Sequence, residues 1–214
     1  MFITFEGIEG CGKSTQVRLL ADFFKKNSRD FIVTKEPGGT EIGTKIRSIL
    51  LNSVNAKINP LTEILLYEAD RAQHVEEIIR PSLEAGKIVL CDRFFDATVV
   101  YQGYARGLGL DLINCLHENL LKGLKPDLTI ISDCPVAIGL KRAWERIADA
   151  PDNAKEDRFE KEAISFHEKI RQGYLRLASM EPERFQVIDA TQEISVIHDA
   201  IVRIVTAHEK TPKI

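Results

Sequence analysis

Short apolar runs rich in β-branched residues alternate along the chain with longer segments whose apolar positions recur every three or four residues. The runs lie at 2–5, 31–34, 88–91, 128–131 and 185–188. The helical periodicity predicts helices at 13–26, 41–51, 61–80, 82–85, 110–122, 135–147, 155–178 and 194–208. Pro81 is expected to break or kink the helix before it. This alternation predicts an α/β fold in which an open five-stranded parallel sheet carries helices on both faces.

Chain length and composition predict one folded unit. The 214 residues, 44% of them hydrophobic, can bury one sizeable core. No repeat or linker interrupts the pattern, so a single domain over 1–214 is expected. The segment 147–157 is polar, contains a proline and has no apolar period, which predicts a surface loop.

Charge and cysteine usage exclude several classes of function. A formal net charge of -3 provides no basic surface for nucleic-acid phosphates, so stable nucleic-acid binding is not expected. The four cysteines include no C-x-x-C pair, which argues against a zinc site and a disulfide framework. Because the first residues lack the features of a signal peptide and no apolar stretch is long enough to span a membrane, we expect a cytoplasmic protein without a membrane partner.

A glycine-rich loop joins the first predicted strand to the first predicted helix. This phosphate loop, 7–15, consists of Gly7, Ile8, Glu9, Gly10, Cys11, Gly12, Lys13, Ser14 and Thr15. It matches G-x-x-x-x-G-K-[ST] in the strand-to-helix context that the pattern requires. Backbone N–H groups of such a loop converge on phosphates, Lys13 reaches the β- and γ-phosphates, and Ser14 offers a hydroxyl to Mg²⁺. The loop predicts a P-loop NTPase-type sheet that binds a nucleoside triphosphate with Mg²⁺. It does not identify the acceptor, because GTPases, transport ATPases and small-molecule kinases share it.

Further polar residues follow the other strands, at the sheet edge where ligands of such folds bind. Asp92 ends the third strand, where a carboxylate can hold Mg²⁺ directly or through water, and Arg93 can clamp a phosphate. A local salt bridge is the alternative interpretation of this pair. Tyr67 and Arg71 project from one helix face, which suits a nucleobase but also an ordinary core-and-surface arrangement.

Together these motifs resemble those of the thymidylate kinase family over almost the whole chain. The resemblance is carried by the phosphate loop, EPGGT at 36–40, ADRAQH at 69–74, DRF at 92–94, YQG at 101–103, PDLT at 126–129, LKRA at 140–143 and VIDAT at 187–191. It implies transfer of the γ-phosphoryl group of ATP to thymidine monophosphate (dTMP), as a step in dTTP synthesis. It also implies a homodimer, for which the apolar-striped helix at 61–80 is the expected interface. Lys35, Tyr67 and Phe94 depart from the family pattern, which has Arg, Phe and Tyr or His there.

The resemblance also implies roles in acceptor binding. Arg47 would contact the monophosphate, Tyr67 would stack on thymine, and Arg71 would donate to the base O4. Tyr101 would lie under the sugar and exclude a ribose 2'-hydroxyl. The expected acceptor-binding residues are Glu36, Pro37, Arg47, Tyr67, Arg71, Arg93, Thr98, Tyr101 and Gln102. A solvated helix face for Arg47 and an ordinary surface turn at Pro37 are the alternatives.

The remaining implied roles concern catalysis. Glu9 matches an acidic position that faces the acceptor's 3'-hydroxyl, and 147–157 would be a lid flanked by Arg142, Arg146 and Arg158. Because the phosphate loop contains no arginine, the family pattern implies that a lid arginine neutralises the transferring phosphoryl group; Arg146 is the preferred residue, and Arg142 would bind ATP. An ordinary position on the helix surface is the alternative for each of the three arginines. The expected catalytic residues are Lys13, Arg93, Arg146 and Glu9, and the expected metal ligands are Ser14 and Asp92. No histidine base is required, because a phosphate monoester is largely ionised at neutral pH, its second pKa being about 6.

Other functions remain open at this point. A kinase for a different nucleoside monophosphate would have other groups where Arg71 and Tyr101 are expected. A P-loop regulatory or binding protein would turn over nucleotide slowly. A GTPase would need an Asn-Lys-x-Asp segment, which the sequence lacks. An inactive interaction module is disfavoured by the intact phosphate loop and the Asp92–Arg93 pair.

Overall fold

A single parallel sheet forms the centre of the computed structural model, which describes residues 1–55, 57–149 and 156–210. The strands in this part of the chain are β1 (Phe2–Glu6), β2 (Phe31–Lys35), β3 (Ile88–Asp92), β4 (Leu128–Asp133) and β5 (Phe185–Asp189). Their order in the sheet is β2-β3-β1-β4-β5. The predicted α/β class and all five predicted strands are confirmed, and each strand extends one or two residues further at its carboxyl end.

The register of the sheet brings the chemically suggestive loops to one edge. Phe5 pairs with Asp92 of β3 on one side and with Ile130 of β4 on the other. Lys35, the last residue of β2, also pairs with Asp92. Because the strands are parallel, the segments that follow β1, β2 and β3 leave the sheet side by side.

Helices cover both faces of the sheet. They are α1 (Lys13–Lys26), α2 (Glu41–Leu51), α3 (Pro60–His74), α4 (Arg80–Glu84), α5 (Phe95–Thr98), α6 (Leu110–Leu121), α7 (Val136–Ala148), α8 (Ile164–Met180) and α9 (Ile194–Lys210). Ile3 and Phe5 of β1 pack with residues of α1 and α9. Phe2, on the opposite face, packs with Val75 and Ile79. The two-residue alternation of a strand therefore places a core on each side of the sheet. Among the described residues, no helix is both long and apolar enough to cross a membrane.

The helical path around Pro81 differs from the prediction. Instead of a helix that ends near Pro81 and a separate short one after it, α3 continues through a π-helical turn, Val75–Ile79, directly into α4. Pro81, which has no N–H to donate, lies in the first turn of α4, directly after the π-helical turn. The chain thus distorts one turn before the proline rather than breaking at it.

The predicted helix at 155–178 was wrong at its start, because α8 begins at Ile164 and residues 158–161 form turns. In these turns Phe159 is buried against the rings of Tyr101 and Phe166, at centroid distances of 5.5 and 6.2 Å. Arg158 forms an ion pair with Glu63 at 2.7 Å. Tertiary contacts therefore override the local helical pattern. Most of the expected lid, 147–157, lies outside the described residues.

The helical segment between β3 and α6 was not predicted from the sequence. It consists of α5 followed by a π-helical stretch, Val99–Ala105. The β-branched run Thr98, Val99 and Val100 is unfavourable for a helix, which obscured the pattern. This segment carries three of the residues expected at the acceptor.

Candidate active site

Glycines with left-handed backbone shape the phosphate loop. Gly7, Gly10 and Gly12 have φ angles of 138°, 67° and 92°. At Gly10 the loop also approaches α7 so closely that a Cβ atom would stand 1.9 Å from the carbonyl oxygen of Gly139. A side chain at Gly10 would therefore both strain the backbone and displace α7.

Lys13 and Ser14 begin α1 directly after these glycines. The Lys13 Nζ donates to the carbonyl oxygens of Gly7 and Ile8 at 3.1 and 2.8 Å. The Ser14 Oγ donates to Asp92 Oδ2 at 2.5 Å. Such a pair of hard oxygen ligands fits Mg²⁺, which usually takes one or two protein ligands and completes its shell with water and phosphate. The described residues contain no group of three or more His, Cys, Asp or Glu that could hold a metal ion.

A cavity of about 250 Å³, here called the Arg93 cavity, lies beside the phosphate loop. It is lined by every residue expected at the acceptor: Glu36, Pro37, Arg47, Tyr67, Arg71, Arg93, Thr98, Tyr101 and Gln102. It is also lined by Glu9, Lys13, Ser14, Asp92 and Arg146. The structure thus brings residues from six separate segments of the sequence to one concave site.

Arg93 lies at the phosphate-loop end of this cavity. Its backbone has a φ of 71°, a left-handed conformation that costs a non-glycine residue about 1–3 kcal/mol and is found repeatedly at active sites. The guanidinium group lies 4.9 Å from the centre of the Tyr101 ring and donates to the Tyr174 hydroxyl at 3.1 Å. Its other terminal nitrogen is 3.2 Å from Glu9. The strained turn after β3 therefore aims a held cation into the cavity.

Glu9 is the acidic residue at the same end. Its carboxylate accepts hydrogen bonds from Tyr101 and Arg93, and its Oε2 lies 3.2 Å from His167 Nδ1. Burial alone would raise the pKa of Glu9, but the hydrogen bond with His167 and the charges of Arg93 and Lys13 lower the pKa to about 2. Glu9 is consequently ionised at neutral pH. His167 was not predicted at the site, because it stands in no motif.

Glu6, also missed, supports Arg93 from beneath. Its carboxyl group accepts hydrogen bonds from the backbone N–H of Phe94 at 2.8 Å and from the hydroxyl of Tyr174 at 2.6 Å. Its Oε2 is 4.0 Å from Arg93. Burial raises the pKa of Glu6 to about 7, although the charge of Arg93 opposes the shift. The sequence contained one indication of this role, a carboxylate at the end of a mainly apolar strand, because a buried carboxylate requires polar partners.

Arg71, which is fully buried, lines a second part of the cavity, here called its other end. Its Nε donates to Glu36 at 2.8 Å, and its terminal nitrogens donate to Glu68, Thr98 and the carbonyl oxygen of Phe94. Glu36 also contacts His74 at 2.9 Å. Glu36 and Thr98 are therefore partners of Arg71 as well as cavity residues.

Tyr67 and Gln102 line the wall near Arg71. Burial raises the pKa of the Tyr67 hydroxyl well above its usual value. The Gln102 amide donates to Glu63 at 2.8 Å, so its side chain is already committed to α3. The aromatic ring of Tyr67 thus offers an apolar surface, while Gln102 fixes the wall behind it.

Arg47 approaches the cavity from α2. It donates to Glu156 at 2.7 and 2.5 Å and to the carbonyl oxygen of Pro37 at 2.8 Å. The turn at Pro37 therefore holds Arg47 at the cavity rather than on a solvated helix face. Arg158 lines the same cavity.

A second cavity of about 410 Å³, here called the Arg142 cavity, also borders the phosphate loop. Its lining includes Gly10, Cys11, Gly12, Lys13, Ser14, Thr15, Arg142, Arg146 and Gln192. Arg142 donates to the carbonyl oxygen of Ala190 at 3.1 Å. Gly7 and Ile8, expected at the cofactor, lie outside both cavities and contribute carbonyl oxygens to Lys13 instead.

Arg146 is the one expected lid arginine that borders both cavities. Its guanidinium group is 3.1 Å from Glu160, and the side chain remains 63% exposed, so it is free to reorient. Arg142 borders only the second cavity and Arg158 only the first. This placement allows Arg146 to reach a group that passes between the two cavities.

Comparison with known proteins finds similarity over almost the whole chain. Residues 5–201 match the family model described as thymidylate kinase. A thymidylate kinase of Geotalea uraniireducens is 53% identical over 206 residues, 96% of this chain and 96% of that protein. One of Desulfosudis oleivorans is 51% identical over 214 residues, 100% of this chain and 99% of that protein. The crystal structure of thymidylate kinase from Ehrlichia chaffeensis has a TM-score of 0.74 and 32% identity, covering 96% of this chain and 98% of that one.

Proposed function

The chain belongs to the thymidylate kinase family, and on that basis we propose that it transfers the γ-phosphoryl group of ATP to dTMP for dTTP synthesis. The observation that carries the proposal is the Arg93 cavity, which has a cation beside the phosphate loop at one end and a neutralised, directional donor, Arg71, at the other. A nucleoside monophosphate has a matching charged end and neutral end. ATP would lie against the phosphate loop in the Arg142 cavity.

The reaction is an in-line attack by an oxygen of the dTMP phosphate on the γ-phosphorus of ATP. Arg93 holds the acceptor phosphate, and Lys13 exchanges its contacts with loop carbonyls for the β- and γ-phosphates. Arg146, which borders both cavities, neutralises charge on the transferring group. Catalysis then depends on positioning and charge rather than on a covalent enzyme intermediate.

Glu9 and Tyr101 act on the sugar in this proposal. The Tyr101 hydroxyl donates to Glu9, which restrains the Tyr101 side chain. We propose that the ring lies under the sugar and excludes a ribose 2'-hydroxyl. Glu9, ionised and fixed by three partners, accepts a hydrogen bond from the 3'-hydroxyl. A deoxyribose is therefore preferred over a ribose.

Ser14 and Asp92 would hold Mg²⁺ in this site. The ion would supply charge neutralisation to the phosphates when bound. Ser14 contributes its hydroxyl oxygen to this role and Asp92 its carboxylate.

We also propose that residues 1–214 act as one domain, in the cytoplasm, as a homodimer. Supporting the dimer, α3 and the neighbouring α6 expose Leu61, Leu65, Leu110 and Leu112, each at least 38% accessible. Exposed leucines on adjacent helices are typical of surfaces that pair with another protein. Light scattering during size-exclusion chromatography would test this assembly.

The test of the activity is ADP release measured by enzyme coupling with ATP-Mg²⁺ and dTMP, dUMP, CMP, AMP or GMP. Turnover should be strongest with dTMP and fall at least about 100-fold in Lys13→Ala. Lys26→Ala, an exposed position on the same helix, is the matched control and should retain activity. Turnover with a different monophosphate only would contradict the proposed substrate, and no turnover with any would contradict the kinase activity.

A further inference from the structure

We infer that Glu68 is a specificity-determining positioning residue, which orients Arg71 so that one N–H group points into the Arg93 cavity and selects a base with a carbonyl oxygen. The inference deepens the proposed function and depends on it. It is carried by the hydrogen-bonding pattern of Arg71 and by the burial of Glu68.

The donors of Arg71 are almost fully used. A guanidinium group has five N–H donors in a fixed planar fork. Nε–H goes to Glu36, the two donors of Nη1 go to Glu68 and Thr98, and one donor of Nη2 goes to the carbonyl oxygen of Phe94. Within the described part of the chain, these contacts leave one Nη2 donor for a ligand.

Charge at this end of the cavity favours a neutral ligand. Arg71 contributes one positive charge, while Glu36 and Glu68 contribute two carboxylates in contact with it. Although burial opposes ionisation of Glu68, the charge of Arg71 and the contact with His117 keep its pKa at about 2. With its charge neutralised by these carboxylates, Arg71 acts as a directional donor rather than as an anion-binding cation.

Glu68 is itself held from a second element. His117 of α6 lies 3.2 Å from the Glu68 oxygen that accepts from Arg71, and the His117 ring packs edge-on against Phe95 at 5.3 Å. Glu68 is 3% exposed, so its position is set by protein contacts rather than by solvent. The chain His117–Glu68–Arg71 therefore links α6 to the base end of the cavity.

A fixed donor distinguishes bases by the group opposite it. A carbonyl oxygen, as in thymine or uracil, accepts the remaining Arg71 N–H. An amino group, as in cytosine, presents a donor and leaves the Arg71 N–H buried and unsatisfied. A mobile Arg71 would turn away from the amino group and lose this discrimination. Orientation by Glu68 consequently matters for selectivity more than for turnover.

The experiment compares wild type with Glu68→Ala, Glu68→Gln and the matched control Glu77→Gln, an exposed glutamate on the same helical path. Equilibrium dissociation constants for dTMP, dUMP and dCMP are measured by titration calorimetry, with kcat and KM for dTMP in parallel. Glu68→Ala should weaken dTMP and dUMP about tenfold and change dCMP less than about twofold. Glu68→Gln, which keeps the shape and an acceptor oxygen, should lower the dTMP preference by about threefold.

The outcomes separate positioning from general damage. Equal weakening of all three nucleotides, or a large fall in kcat with an unchanged dTMP-to-dCMP ratio, would overturn the inference. If Glu68→Ala fails to fold, Glu68→Gln and His117→Phe decide, since each should lower the ratio and an unchanged ratio in both overturns the inference. A wild-type protein without preference for dTMP would contradict the proposed function as well, whereas preserved preference in the variants contradicts the inference alone.

Discussion

Two arginines line the Arg93 cavity, the partly buried Arg93 at the phosphate-loop end and the buried Arg71 at the other end, and their surroundings give the two side chains different chemistry. The Arg93 side chain is 18% exposed, its carboxylate contacts are at 3.2 and 4.0 Å, and Lys13, Arg47 and Arg146 line the same space. Arg71 is 2% exposed and in close contact with two carboxylates. The comparison teaches that an arginine acts as a charge where its counter-ions are loose and as an oriented donor where they are tight.

Removal of the Arg93 side chain should have the largest effect on activity. Arg93→Ala is expected to lower kcat/KM for dTMP about 1000-fold, because the acceptor phosphate loses its main clamp. Arg203→Ala, on the exposed face of α9, is the control and should change nothing. An Arg93→Ala variant within tenfold of wild type would show that the phosphate is held elsewhere.

The second largest effect concerns Glu6, which lies next to Arg93. We expect it to make the free energy of unfolding depend on pH. The pKa of Glu6 is about 7 in the folded protein and about 4.5 in the unfolded chain. The folded state therefore binds more protons between these values, and this contribution to stability is full below about pH 4.5 and lost as the pH rises through 7. Between pH 5 and 8 the expected loss is about 2–3 kcal/mol.

Urea unfolding of wild type and Glu6→Gln at pH 5, 6, 7 and 8 measures this loss. The wild-type free energy of unfolding should fall with pH by about 2–3 kcal/mol more than that of Glu6→Gln. The exposed Glu118→Gln should behave like wild type. Parallel pH profiles in wild type and Glu6→Gln would mean that Glu6 is ionised in the folded protein at pH 5.

At the other end of the cavity, a substitution that keeps charge should still be harmful. Arg71→Lys is expected to lower kcat/KM for dTMP about 30-fold, mainly through KM, since a lysine cannot satisfy Glu36, Glu68 and Thr98 in one plane. The same change at Arg93 should be milder relative to alanine, because charge dominates there. Equal tolerance of lysine at both positions would remove the distinction between the two ends.

Local patterns were sufficient for the strands and for the phosphate loop. Each strand is a short apolar run, and the glycine positions of the loop follow from the backbone that a phosphate requires. The helical segment 95–105 was not predicted, because its run of β-branched residues is typical of a strand. The start of α8 was misplaced because Phe159 is fixed by contacts with Tyr101 and Phe166, which no local pattern contains.

The site residues also divide into those that local motifs predict and those that only tertiary contacts bring to the site. The motif residues that the structure gathers at the Arg93 cavity could be proposed from the sequence, but their supporting partners could not. His167 contacts Glu9 across 158 positions, and Tyr174 contacts Glu6 across 168. Glu68 stands within a recognisable motif region, yet its contact with His117 spans 49 positions. Such partners belong to the tertiary structure, because only the folded chain brings them into contact.

The smallest predicted effect tests whether a loose counter-ion competes with substrate. Glu156 accepts two hydrogen bonds from Arg47, and both side chains are partly exposed, at 42% and 22%. An exposed pair of this kind contributes at most about 1 kcal/mol. Glu156→Gln should therefore lower KM for dTMP about threefold and leave kcat unchanged.

Glu41→Gln is the control for this last change, because Glu41 pairs with Lys45 on the same helix as Arg47 but at an exposed position. The difference between wild type and Glu156→Gln should also shrink at high salt, which screens exposed pairs. A higher KM in Glu156→Gln would mean that the pair positions Arg47 instead of occupying it. Arg47 would then resemble Arg71, with a counter-ion that orients the side chain, and the division between a charged end and a directional end would run between Arg47 and Arg93.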